Sequence, residues 1–322
     1  MQPLVFRPIM KRIRWGGRRL GDLLGKPIGS GADDAESWEI ADHAADQSVV
    51  LHGEFAGKTL SELVQRQNLP LFGRHAGRTQ FPLLVKFLDA SDVLSVQVHP
   101  DDQLAKEFDP TENGKTEAWV IVDAAPGSEL FVGFRRGVTE DELRAALRNG
   151  TVASLLHRIP VKAGDCVYVP AGTVHAIGAG VLLAEIQQSS DLTFRLFDWG
   201  RVGSDGRPRE LHIESALRCI DFHRGPVEPI EPTPLESDHQ LEELVRSPHF
   251  VLRRHRALEE FSMPQDDRFH VLLSLSGSGR LNCGADRIEM PRGQSVLLPA
   301  ARPDVVINPS GGMITLLDAS LP

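Results

Sequence analysis

Short apolar runs recur along the whole chain and are cut at close intervals by proline and glycine. They include PLLVKFLDA (82–90), SVQVHP (95–100), EAWVIVDA (117–124), ELFVGF (129–134), DCVYVP (165–170), VLLAEIQQ (181–188), HFVLRRH (249–255), RFHVLLSLSG (268–277) and QSVLLPA (294–300). Many alternate apolar with polar positions and are rich in Val, Ile, Leu and Phe. Successive side chains of a strand point to opposite faces, so this period predicts half-buried strands. The expected fold class is mainly β, a sandwich or barrel. Helices are fewer. Thr59 with Glu62 and Thr139 with Glu142 have the spacing of a capping box, and Gly150 is a stop for the second of these helices. Residues 210–220 (ELHIESALRCI) read as helical, and 102–108 as one or two turns. Asp101 and Asp102 there read as N-caps.

The stretch RGPVEPIEPTPLE (224–236) carries prolines at 226, 229, 232 and 234 and reads as an extended linker. The division expected from it is a metal-binding catalytic domain over 1–225, a linker over 226–236 and a second domain over 237–322. A short internal repeat supports two related units. Gly164, Pro170, Gly172 and His175 form a G-x5-P-x-G-x2-H pattern, and Gly293, Pro299, Ala301 and Asp304 occupy the same offsets. Each copy reads as turn, strand, turn. The second has no histidine, which implies two related barrels, one with a metal and one without.

Length and composition narrow the function. The chain has 322 residues, 41% hydrophobic and 25% charged, with a formal net charge of −9. That balance argues against a nucleic-acid binder. No apolar run reaches the 18 or so residues of a membrane span, and the N-terminal MQPLVFRPIMKRIRW lacks the apolar core of a signal peptide. Cys166, Cys219 and Cys283 are too widely spaced for a disulfide framework or a CxxC metal pair, so a reducing cytoplasm is the expected compartment.

Four residues stand out as one ligand set: Gln97, His99, Glu117 and His175. Gln97 and His99 are spaced i, i+2, which on a strand puts both on one face. Glu117 opens the run EAWVIV, and His175 follows the Pro170–Gly172 turn. Imidazole, carboxylate and amide oxygen suit a borderline divalent ion such as zinc. A set without thiolate suits a catalytic site with room for substrate. Composition alone singles out none of the 12 histidines; the QxH and P-x-G-x-x-H settings do. His212, His223, His239, His249, His255 and His270 keep the ordinary reading of surface or satisfied core groups.

The strings SVQVHPDD, GKTEAWVI, VPAGTVHAIG and LLAEIQQSSDLTFRLFDWGR, with WGGRRL (15–20) and ESWEIADH (36–43), resemble type I mannose-6-phosphate isomerases in their shorter bacterial form. The similarity is strong to about residue 220 and looser beyond. It implies a cupin fold, a double-stranded β-helix barrel, with a helical part and a second, degenerate, metal-free barrel. It implies one Zn2+ per chain on Gln97, His99, Glu117 and His175, an active-site arginine at Arg195, and Lys115 in the pocket. The implied substrate is a small sugar phosphate, with no nucleic-acid or membrane partner. One departure is clear: longer members carry a histidine just before the lysine, where this chain has Gly114.

The reaction so implied interconverts mannose 6-phosphate and fructose 6-phosphate through an enediol. Glu185 and Asp191 are the candidates for the carbon base, and Ser95 and Lys86 for pocket wall or phosphate contacts. The competing reading for Arg195 is an ion pair with Asp191 or Asp198. Two other functions fit parts of the sequence. A non-haem iron oxygenase would use His99, Glu117 and His175 but leave Gln97, Lys115 and Arg195 without a task. A non-catalytic sugar-binding cupin would not need Lys115 and Arg195.

Overall fold

The computed structural model describes residues 1–202, 206–236 and 241–322. His239 and the first residues of the expected C-terminal domain, 237–240, lie outside them. The chain is mainly β and forms two compact units, one of Met1–Lys11, Arg18–Phe87 and Glu231–Pro322, the other of Arg12–Gly17 and Leu88–Ile230. The change of unit at 230/231 falls inside the proline-rich stretch. The linear division differs at the other end, because residues 18–87 group with the C-terminal portion. Their ties are long-range: Lys26 Nζ reaches the Gly293 carbonyl and Ala300 N donates to Leu71 O, while Leu4, in the N-terminal part of the same unit, pairs with Leu297. The proline-rich stretch is not a free linker either. Val227 N donates to Val132 O and Ile230 N to Cys166 O, and Thr233–Glu236 is a strand paired with Leu241–Arg246. Pro234 is tolerated there because the strand lies at a sheet edge.

In the unit of residues 88–230 the labelled elements are β1 (Val96–Val98), α1 (Asp102–Phe108), β2 (Glu117–Ala124), β3 (Glu129–Phe134), α2 (Glu140–Asn149), β4 (Leu156–Pro160), β5 (Cys166–Val169), β6 (His175–Ile177), β7 (Val181–Gln188), β8 (Phe194–Phe197) and α3 (Ile213–Cys219). The capping boxes at Thr59–Glu62 and Thr139–Glu142 both form, and Gly150 ends α2 in the left-handed region at φ 69°. Asp101 caps α1 by accepting from Leu104 N. Asp102 does not cap; its carboxylate turns to Gly114 and Gln188.

Five antiparallel strands form a sheet in the order β4-β3-β6-β1-β8. Alternation divides its faces. Val96, Val98, Phe131, Ala176, Phe194 and Leu196 pack into a core with Leu143 and Ala146 of α2 and Ala216 and Leu217 of α3. The intervening residues Gln97, His175 and Arg195 therefore point to the other face. β2 lies between β5 and β7 in a second sheet, with Glu117 opposite Val169 on one side and Gln187 on the other.

The internal repeat has a structural counterpart. Gly164 and Gly293 both have positive φ, 92° and 87°. Each is followed at the same offset by a four-residue strand, β5 and β9 (Ser295–Leu298). β5 pairs with β2 so that Val169 faces Glu117, while β9 pairs with the strand His270–Ser276 so that Leu298 faces His270. By register, His270 stands where Glu117 stands in the first copy.

Candidate metal centre

Register explains how distant segments deliver one site. β8 pairs with β1 so that Arg195 faces Gln97, and β1 pairs with β6 so that Gln97 faces His175. Directly opposed residues in antiparallel strands project to the same side, so Arg195, Gln97 and His175 form a row on the face away from the helical core. His99 follows two residues after Gln97. The turn before β6 is tied to it: Gly172, at φ 85°, donates from its N–H to the His99 carbonyl.

His99, Glu117 and His175 are each 1% exposed and offer one ligand atom apiece within 4.8 Å of one another. Among the described residues this is the one such group of three His, Cys, Asp or Glu side chains. His99 Nε2 lies 3.7 Å from Glu117 Oε2 and His175 Nε2 3.3 Å from Glu117 Oε1. The Gln97 amide is 3.3 Å from His175 Nε2, and turning that amide over puts its oxygen in the same place.

The proton positions follow from the anchors. His99 Nδ1 is 2.9 Å from the Leu192 carbonyl and His175 Nδ1 is 2.9 Å from the Thr173 carbonyl. A carbonyl only accepts, so both Nδ1 atoms carry hydrogen and both Nε2 lone pairs face the Glu117 carboxylate. Acceptors converging on acceptors in a buried space call for a cation between them. Burial, with the Lys115 charge adding to it, pushes His175 down to about 4. The imidazole is then neutral at neutral pH, as a ligand must be. The residues fit a divalent metal, and the nitrogen and oxygen donors match zinc.

Lys115, also buried, places Nζ 3.4 Å from Glu117 Oε2. Glu185, opposite Trp119 in the β7–β2 register, is buried and accepts from Trp119 Nε1 at 3.1 Å. Trp119 itself stands edge-on to His175 at 5.3 Å. Sequence reading did not single out this tryptophan, though its i+2 spacing from Glu117 was a usable signal. Asp191 is exposed. Arg195 donates from Nη1 to the Glu210 carbonyl, and its backbone N–H goes to His212 Nδ1. The Asp198 carboxylate is held by Arg201 and Arg209, so it is not the dedicated partner of Arg195. Burial and the neighbouring Arg209 lower the Arg195 guanidinium below its ordinary value. Ser95 is buried two residues before Gln97. Lys86 belongs to the other unit, where it is buried 3.5 Å from Glu36 and over the Trp38 ring.

Comparison with known proteins decides the family. The model for "Phosphomannose isomerase type I, catalytic domain" matches residues 4–119. The chain is 38% identical to mannose-6-phosphate isomerase ManA of Bacillus subtilis over 298 residues, 92% of this chain and 93% of that protein. It is also 38% identical to the mannose-6-phosphate isomerase of Streptococcus mutans over 92% of each. The chain belongs to the type I phosphomannose isomerases. That membership makes it an isomerase rather than an oxygenase or a non-catalytic binding protein. The crystal structure of the mannose 6-phosphate isomerase from Bacillus subtilis superposes with a TM-score of 0.91 at 34% identity, covering 99% of both chains. A phosphomannose isomerase mutant from Salmonella typhimurium shares the fold at 16% identity, with a TM-score of 0.77 over 99% of both chains.

Proposed function

We propose that this chain interconverts D-mannose 6-phosphate and D-fructose 6-phosphate with one zinc ion held by Gln97, His99, Glu117 and His175. The observation that carries the reading is the convergence of two Nε2 lone pairs on the buried Glu117 carboxylate with Lys115 beside it. We read the two β units as cupin-type barrels, the second without metal. Its His270, at the position of Glu117, is paired with Asp318 and Asp266 instead. The working compartment is the cytoplasm, consistent with three buried cysteines that form no disulfide and with no membrane-spanning helix among the described residues.

In the open-chain aldose a proton leaves C2 as O1 gains one, giving the cis-enediol. A proton then leaves O2 as C1 gains one, giving the ketose. Bound zinc supplies Lewis-acid polarisation of a sugar oxygen. Lys115 donates a hydrogen bond to the oxygen that gains negative charge. Arg195, in the row beyond Gln97, holds a charged group of the substrate. Of the two carboxylate candidates for the carbon base, Glu185 is favoured over the exposed Asp191. It is buried, steadied by the Trp119 indole, and its charge reaches His175. Ser95 lines the pocket, whereas Lys86 pairs with Glu36 rather than serving as a phosphate contact.

A coupled isomerase assay on mannose 6-phosphate tests the reading. Turnover should vanish on chelation and return with zinc; a chelated, metal-free protein that keeps full turnover overturns it. Arg195→Ala should lower kcat/KM by about 100-fold, the scale of one lost charge-stabilising donor, with zinc content unchanged. Undiminished activity in that variant removes Arg195 from the site.

A further inference from the structure

We infer that Asp102 and Gln188 are positioning residues for Lys115, gripping the backbone on either side of it; this rests on the role given to Lys115 above. Three successive amides of the segment are committed. Gly114 N donates to Asp102 Oδ1 at 2.9 Å, Lys115 N to the Pro100 carbonyl at 3.0 Å, and Thr116 N to Gln188 Oε1 at 2.9 Å. The two side chains are themselves joined, since Gln188 Nε2 donates to the same Asp102 Oδ1 at 2.9 Å. Gln188 N also returns a hydrogen bond to Thr116 O at 3.1 Å. The result is a closed polar bracket that starts at the exposed beginning of α1, crosses the end of β7 and encloses the residue that sits 3.4 Å from Glu117.

The loop is stitched further along. Asn113 Nδ2 donates to Ser189 O and Ser190 Oγ to Glu112 Oε2, at 3.0 and 2.8 Å. These hydrogen bonds fix where the Lys115 backbone lies, and so where its short-range contact with the carboxylate can form.

The bracket also accounts for glycine at 114. A Cβ there would stand 2.5 Å from Asp102 N and 2.6 Å from Asp101 C, both backbone atoms. The close approach that lets Asp102 take the Gly114 amide therefore leaves no room for any side chain. In this chain the position before the lysine serves placement of the lysine, and the histidine that longer members carry there has no room.

The test compares zinc-loaded, full-length Asp102→Ala, Gln188→Ala, Asp102→Asn and Lys115→Ala proteins, with Asp102→Ala also placed in the Lys115→Ala background. Asp102→Ala and Gln188→Ala should each lower kcat by roughly 10–100-fold, the usual scale for outer groups that orient a site, with KM and zinc content close to the parent. Amide hydrogen exchange at Gly114 and Thr116 should accelerate in both. Asp102→Asn should restore most of the loss, because its amide oxygen can accept the same two N–H groups. Adding Asp102→Ala to Lys115→Ala should cost little more, as expected when one residue acts through another. Full kcat in Asp102→Ala and Gln188→Ala, or losses that multiply in the double variant, would overturn the positioning role. Full kcat in Lys115→Ala instead overturns the role of Lys115, whatever the exchange data show.

Discussion

His175→Ala is expected to lose both the metal and the activity. The imidazole is pinned at Nδ1 by the Thr173 carbonyl, and its Nε2 is 3.3 Å from both Glu117 Oε1 and the Gln97 amide. Removing it takes away one of two nitrogen donors and the group against which Trp119 stands edge-on. What remains is a buried carboxylate with Lys115 at 3.4 Å, an arrangement that closes on itself as an ion pair. Lewis-acid stabilisation supplies several kcal/mol, and each 1.36 kcal/mol is tenfold in rate, so kcat/KM should fall on the order of a thousandfold or more. Stoichiometric metal analysis should find zinc near background. Because His175 is neutral when buried, its loss removes packing but strands no charge of its own, and thermal melting should show a protein that still folds. A His175→Ala protein that is fully metallated and active would eliminate the site proposed here.

The three side chains His99, Glu117 and His175 that the fold brings together belong to local strings with a fixed spacing, which a sequence can display. QxH predicts two side chains on one face of a strand, and the faces of β1, β6 and β8 divide as alternation requires. The capping boxes at Thr59 and Thr139 were readable for the same reason: both partners lie within four residues. Contacts between segments far apart in sequence left no such trace. Nothing in residues 18–87 shows that they join the C-terminal portion, because ties such as Ala300 to Leu71 are backbone hydrogen bonds available to any sequence. Thr233–Glu236 read as linker because proline opposes strand pairing in general. At an edge the missing N–H of Pro234 is tolerated. Asp102 read as a cap from its place before a helix, yet Asp101 takes that role, and the Asp102 carboxylate serves a loop reached only through the fold.

His270 shows the same limit and carries the second large effect. It read as an ordinary histidine, yet it is 0% exposed, with Nδ1 2.8 Å from Asp318 Oδ1 and Nε2 3.1 Å from Asp266 Oδ1. His255 Nε2 lies 3.8 Å from Asp318 Oδ2, and Arg268 is 3.2 Å from Asp266. Burial opposes an imidazolium here, but the Asp318 charge and the two hydrogen bonds outweigh it and raise His270 to about 9. Burial likewise opposes an ionised Asp318, and the charge and hydrogen bonds of His270 and His255 hold it well below the usual carboxylate range. The raised histidine contributes stability that is complete below its unfolded pKa of about 6.5 and is lost as pH rises through about 9. The depressed aspartate contributes above its unfolded value of about 3.9 and loses that contribution as pH falls. Thermal stability should therefore be greatest between about pH 4 and 6.5 in this respect, with an alkaline decline centred between 6.5 and 9. Removing one partner of a buried pair costs about 3–5 kcal/mol. Asp318→Ala should thus lower the melting temperature strongly near pH 6, while Asp318→Ala with His270→Leu, which leaves no stranded imidazolium, should recover part of it and flatten the alkaline decline. Calorimetric melting of these variants across pH 5–10 measures both effects, and an unchanged alkaline slope in the double variant would show that the His270–Asp318 pair is not its source.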